Sequence, residues 1–123
     1  MSHAGRRKLH VLLEMGGRQV MLFIEEYEIE PEKVPEMLSL LETTVEILGE
    51  LKLPFLKGWA TYQNREDPSK MIGVWNLDSE SSEPLGEAYM GHPKGKDVPP
   101  QFMALIKPDS YVAKHYDERI SFK

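Results

Sequence analysis

An apolar strand, a long amphipathic helix and an aromatic hairpin follow one another along this 123-residue chain, and in that order they predict an α+β fold. With a broken helical stretch and a last strand behind them, the pattern is the ferredoxin-like βαββαβ order, an antiparallel sheet with helices on one face. Residues 1–17 read as an N-terminal arm with a short extra strand, and residues 18–123 as one ferredoxin-like domain with an irregular segment at 79–109.

The arm begins polar and carries the basic cluster Arg6-Arg7-Lys8. Leu9–Leu13 predicts the short extra strand, and Gly16-Gly17 a two-residue turn, because glycines accept the positive φ angles of a tight hairpin. Gln19–Ile29 is the clearest strand: Val20, Met21, Leu22, Phe23 and Ile24 are apolar in succession, as expected where both faces are covered. It then turns acidic. The run Glu25-Glu26-Tyr27-Glu28 reads either as like charges crowding a carboxylate or as a solvated strand end, neutralised across the sheet by Arg18 or Lys114.

Pro31–Leu51 predicts a helix, because Val34, Met37, Leu38, Leu41, Val45 and Leu48 recur at three- and four-residue intervals, widened by Leu40, Ile47 and Leu51. Pro31 and Pro35 suit the first turn, where Glu32 and Glu36 complement the positive end of the dipole. Gly49 or Lys52-Leu53-Pro54 ends it. The hairpin Gly58–Arg65 and Lys70–Leu77 is closed by Glu66-Asp67-Pro68-Ser69, in which Asp67 suits the first position of a type I turn and Pro68 presets φ at the next. Both tryptophans, Trp59 and Trp75, lie in it among β-branched partners. From Asp78 to Asp109 prolines and glycines interrupt every helix, leaving short helical turns at Glu83–Met90 and Pro100–Ile106 and an exposed loop at His92–Val98. Ser110–Phe122 alternates as a strand, with Val112, Tyr116 and Ile120 on one side. Such a small sheet leaves one face free, and Val20–Ile24 with the two tryptophans would make that face adhesive, so face-to-face dimerisation is expected.

Composition narrows the function. The formal charge of −5 argues against a nucleic-acid partner, and the absence of cysteine removes thiol chemistry and fits a cytoplasmic setting. Leu9–Leu13, stopped by Glu14, is too short for export or for spanning a membrane. Gly91–Lys96 lacks the glycine spacing of a phosphate loop, so nucleotide binding is set aside. His3, His10, His92 and His115 have no metal-ligand spacing, and no metal is expected.

The strand Val20–Ile24, the helix entry Ile29-Glu30-Pro31-Glu32-Lys33, Trp59-Ala60-Thr61-Tyr62 and above all Asp67–Trp75 resemble the antibiotic-biosynthesis-monooxygenase-like family of dimeric α/β barrels. The resemblance covers Arg18–Glu83; the second helix, continuous in that family, is broken here. It implies a homodimer with a pocket between sheet and second helix in each subunit. Members include cofactor-independent oxygenases of activated aromatic or polyketide substrates, haem-degrading oxygenases and members without known activity. The haem-degrading pattern of an asparagine on the first strand and a tryptophan on the second helix is absent, although His92 lies in about the right region. No cofactor is therefore expected.

The leading expectation is cofactor-independent oxygenation of an aromatic or polyketide-like small molecule. His92 and His115 are the acid–base candidates, because imidazole titrates near neutrality. The plainer alternative makes them a loop histidine beside Pro93 and a solvent-facing strand histidine. Phe23, Trp59, Tyr62, Trp75 and Tyr116 are the candidate substrate contacts, supplying stacking area and hydroxyls, with Tyr89 a further hydroxyl; core or dimer interface is the alternative for the tryptophans. Two other functions fit the same chain: a non-catalytic ligand-binding or sensing dimer, and an interaction module using residues 83–108 as a partner loop.

Overall fold

The computed structural model describes residues 20–122. The extra strand at Leu9–Leu13, the Gly16-Gly17 turn, the basic cluster, Arg18, His3 and His10 lie outside the described residues. Strand β1 (Val20–Glu28) leads through a 3-10 turn at Pro31–Lys33 into helix α1 (Val34–Leu51), then strands β2 (Leu56–Gln63) and β3 (Lys70–Asp78). Helix α2 (Glu83–Gly91), a 3-10 turn at Gly95–Asp97, helix α3 (Val98–Leu105) and strand β4 (Val112–Asp117) complete the order. The sheet runs β2-β3-β1-β4, antiparallel throughout. This is the expected α+β, ferredoxin-like architecture. Among the described residues, no helix is long and apolar enough to cross a membrane.

Strand alternation sorts the side chains. Met21, Phe23, Glu25 and Tyr27 of β1 stand on the same face as Met71, Gly73, Trp75 and Leu77 of β3, and the helices cover this face. One core cluster gathers Tyr27, Ile29, Met37, Leu40, Ile47, Met71, Val98 and Ile106; a second gathers Met21, Trp75, Leu77 and Leu85. Helix α1 buries Met37, Leu40, Thr44 and Ile47, whereas Leu38 and Val45 are 47% and 58% exposed. The core stripe is thus rotated from the predicted one. A threonine can sit in it because Thr44 Oγ1 and Tyr89 OH share a hydrogen bond of 2.8 Å. The helix ends at Lys52, whose φ of 50° is left-handed and whose N–H donates to the Leu48 carbonyl.

The hairpin turn forms as its sequence requires. Asp67 Oδ1 accepts from Ser69 N–H at 3.2 Å and Ser69 Oγ at 2.6 Å, and Lys70 N–H closes back on the Asp67 carbonyl. These bonds hold the Asp67 carboxyl below its usual range, first through the Ser69 hydroxyl.

Three expectations need correction. The tryptophans do not stand on the free face: Trp59 pairs with Trp75, which pairs with Phe23, and all three point toward the helices. The free face is apolar through other residues, with Leu22, Ile24 and Val74 half-buried and Tyr62, Ile72, Val112 and Tyr116 exposed. The His92–Val98 stretch is not an open loop, because it tightens into the 3-10 turn and buries Gly95 and Val98. The final strand stops at Asp117. Glu118 N–H still reaches the Val20 carbonyl, but beyond it no described strand remains to pair with, and Ile120 and Phe122 are fully exposed.

Candidate functional site

Between the inner sheet face and the three helices lies a cavity of about 330 Å³. Its floor is Phe23 and Glu25 of β1 and Trp75 of β3. Leu41 and Thr44 of α1, Leu85 and Tyr89 of α2, Phe102 and Met103 of α3, and Tyr111 before β4 make the walls. Segment 83–108 is therefore one side of the cavity.

Register builds the floor. Trp59, Trp75, Phe23 and His115 stand side by side across all four strands. The two indoles stack at 5.2 Å and 28°, and Phe23 stacks on the His115 imidazole at 5.0 Å and 26°. One row further along the strands come Thr61, Gly73, Glu25 and Ala113.

Glu25 is the acidic group of the cavity lining. Trp75 Nε1–H donates to its Oε1 at 2.7 Å, and Tyr111 O–H donates to its Oε2 at 2.7 Å. The carboxylate is thereby held from β3 and from the segment before β4, and among the described residues each oxygen keeps a free lone pair. Burial, then the hydrogen bond and charge of Glu25, push the Tyr111 phenol well above its ordinary range. Burial likewise raises the Tyr89 phenol, against the opposing effect of its bond to Thr44. Toward Glu25 the Tyr111 phenol is the donor and the carboxylate the acceptor.

The structure brings together Phe23, Trp59, Trp75 and His115 in one row, with Phe23 and Trp75 lining the cavity. His115 stands behind Phe23, its Nε2 3.1 Å from the Oγ of Ser82, which is itself a lining residue. Tyr62 and Tyr116 lie on the opposite face of the sheet, because they pair with Ile72 and Leu22 on even positions. His92 is outside the lining. Its side chain is 10% exposed and bonds Glu50 Oε1 at 2.6 Å, while Nδ1 accepts from Lys94 N–H, so Nε2–H is the donor. That hydrogen bond holds the Glu50 carboxyl below its usual range.

Glu25 and Tyr111 escaped the sequence reading. Alternation carried the signal for Glu25, since positions 21, 27 and 29 are buried, Phe23 faces the same way, and 25 shares their parity. The acidic run obscured it: Glu26, its neighbour, does behave as the solvated reading expects and pairs with Lys114 at 3.1 Å on the outer face.

No family model matches the chain, and no curated protein matches it. Solved structures do. A conserved protein from Methanosarcina mazei Go1 superposes with a TM-score of 0.65 at 18% identity, over 80% of this chain and 92% of that one. SnoaB, a cofactor-independent oxygenase from Streptomyces nogalater, gives 0.65 at 11% identity, over 84% and 96%. A structure described as an antibiotic biosynthesis monooxygenase gives 0.60 at 15%, over 80% and 97%. At these identities the likeness establishes the fold, and the chain has the fold of the antibiotic-biosynthesis-monooxygenase-like proteins.

Proposed function

We propose that this chain is a small-molecule oxygenase of the cofactor-independent type, acting on a planar, electron-rich aromatic or polyketide-like substrate held in the cavity above Trp75. The observation that carries the reading is Glu25, a fixed carboxylate in an aromatic cavity with lone pairs to spare. It takes the role of proton acceptor that imidazole was expected to fill, with His115 acting at one remove through Ser82 and Phe23. The oxygenase named among the structures of the same fold supports the class of reaction.

The chemistry balances for a doubly benzylic CH₂ group. Glu25 takes one proton, the resulting carbanion passes its electrons to dioxygen, and a carbon–oxygen bond forms as a peroxide, which takes the proton back. Loss of the remaining C–H proton to Glu25 cleaves the O–O bond and leaves the carbonyl. Hydroxide departs with that proton as water, so one oxygen atom enters the product and the other leaves.

The apolar outer face supports the homodimer of the same reading, two sheets packed face to face. A second reading, a binding or sensing dimer without chemistry, is favoured by the two hydrogen bonds that fix Glu25, which suit an anchoring acceptor. Dioxygen consumption with 1,8-dihydroxyanthrone separates the two. We expect turnover with water and the anthraquinone as products, and a loss of about 10²–10⁴-fold in Glu25→Gln. Saturable binding with no dioxygen uptake would leave the binder.

A further inference from the structure

Charge gives the cavity a selectivity beyond its shape. Among its described lining residues there is no lysine, arginine or histidine, and among the described residues no ion pair reaches Glu25. Both donors to its carboxylate, an indole and a phenol, are neutral, so they solvate the charge without cancelling it. The nearby cation Lys114 is on the other face of the sheet and is committed to Glu26. Half-buried among apolar walls, this carboxylate has no counter-ion among the described residues. Around it stand Phe23, Trp75, Tyr89, Phe102 and Tyr111. Aromatic rings attract cations through the negative potential over their faces, and repel anions there.

We infer that the cavity selects ligands bearing a protonated amine on an aromatic frame, the ammonium pairing with Glu25, and refuses the carboxylate of the same shape. This rests on the cavity being the ligand site, and it holds for an oxygenase and for a binder alike. In an oxygenase the ammonium has a further consequence: its inductive pull makes a neighbouring C–H or O–H of the substrate more acidic.

A matched trio tests it by calorimetry on the full chain: 2-phenylethylammonium, 2-phenylethanol and phenylacetate, near neutral pH. The amine is expected to bind at least tenfold more tightly than the alcohol, with the acid weakest. Glu25→Gln, which keeps the side-chain shape and one acceptor oxygen, is expected to bring the amine down to the alcohol. Tyr111→Phe keeps the carboxylate and removes one of its donors, so the preference should persist or grow. Equal binding of amine and alcohol, binding of the acid, or a preference that survives Glu25→Gln overturns the charge selectivity while leaving the ligand site standing. Failure of all three ligands to bind overturns the ligand-site reading and the selectivity with it.

Discussion

Tyr27 and Glu25 stand two residues apart on the same face of β1, and their hydroxyl and carboxylate have opposite fortunes. Glu25 has two donors, whereas the Tyr27 hydroxyl, buried among Phe102 and the aliphatic core, has no partner among the described residues. An unsatisfied buried hydroxyl costs more than it returns, so Tyr27→Phe is expected to stabilise the protein by about 1 kcal/mol in urea unfolding. A loss of stability on that substitution would mean that the hydroxyl has a partner. Burial first, and then the charge of Glu25, push this phenol up to about 12. In the unfolded chain it titrates near 10, so between those values the unfolded state releases a proton that the folded state keeps. Stability therefore falls as pH rises from about 10 toward 12, and ultraviolet titration of the tyrosines should show a late component that is smaller by one phenol in Tyr27→Phe.

The candidate site was only partly legible for a reason that acts at this same scale. Aromatic residues announce themselves in a sequence by type, and Phe23, Trp59 and Trp75 were found that way. Their facing is a matter of parity, which put Tyr62 and Tyr116 on the other side of the sheet. Glu25 belongs to the apolar parity of its strand but reads as one acid among four, and its partner Tyr111 is 86 residues away. A hydrogen bond of that sequence separation leaves no local mark.

Among the elements, the hairpin was the most legible, because an Asx-type turn and a proline act locally and nothing distant overrides them. Helix α1 was legible in extent but not in facing: its apolar residues span most of its circumference, and the choice of Thr44 over Val45 for the core depends on Tyr89, an element away. The junction of α2 and α3 was the least legible. His92 accepts the Lys94 N–H, Gly95 N–H and Lys96 N–H both reach the His92 carbonyl, and the chain folds back tightly onto α2. A Cβ at Gly95 would collide with the Tyr89 carbonyl. Gly95→Ala is therefore expected to cost about 2–4 kcal/mol and to disturb Tyr89, hence the cavity wall. Gly86, where a Cβ meets nothing within 4 Å, makes the control: Gly86→Ala should be neutral or slightly stabilising. Equal effects of the two substitutions in thermal unfolding would contradict the steric account of the junction.

For the whole molecule, the sheet divides two tasks. The inner face carries the cavity, and the outer face presents the half-buried Leu22, Ile24 and Val74 and the exposed Ile72, Tyr62 and Tyr116. The fold order itself followed from element order, since short connections and antiparallel pairing leave few other arrangements. If the outer face joins two copies, Val74→Lys, at the centre of the sheet, shifts the protein to monomer in sedimentation equilibrium. Leu38→Lys, on an exposed helix position, leaves the dimer intact. A dimer unaffected by Val74→Lys would place the interface elsewhere.

A small aromatic molecule bound in the cavity beside Glu25 would lie against Trp75. The indole N–H of Trp75 donates to that carboxylate and lines the cavity floor, and the chain has only one other indole, Trp59. The most direct measurement is therefore the ¹H–¹⁵N spectrum of the two indole N–H groups during titration with 1,8-dihydroxyanthrone under argon. The expected result is a saturable shift of the Trp75 resonance, larger than that of Trp59. A Trp75 resonance that stays fixed while the ligand binds would contradict the account and put the site elsewhere on the protein.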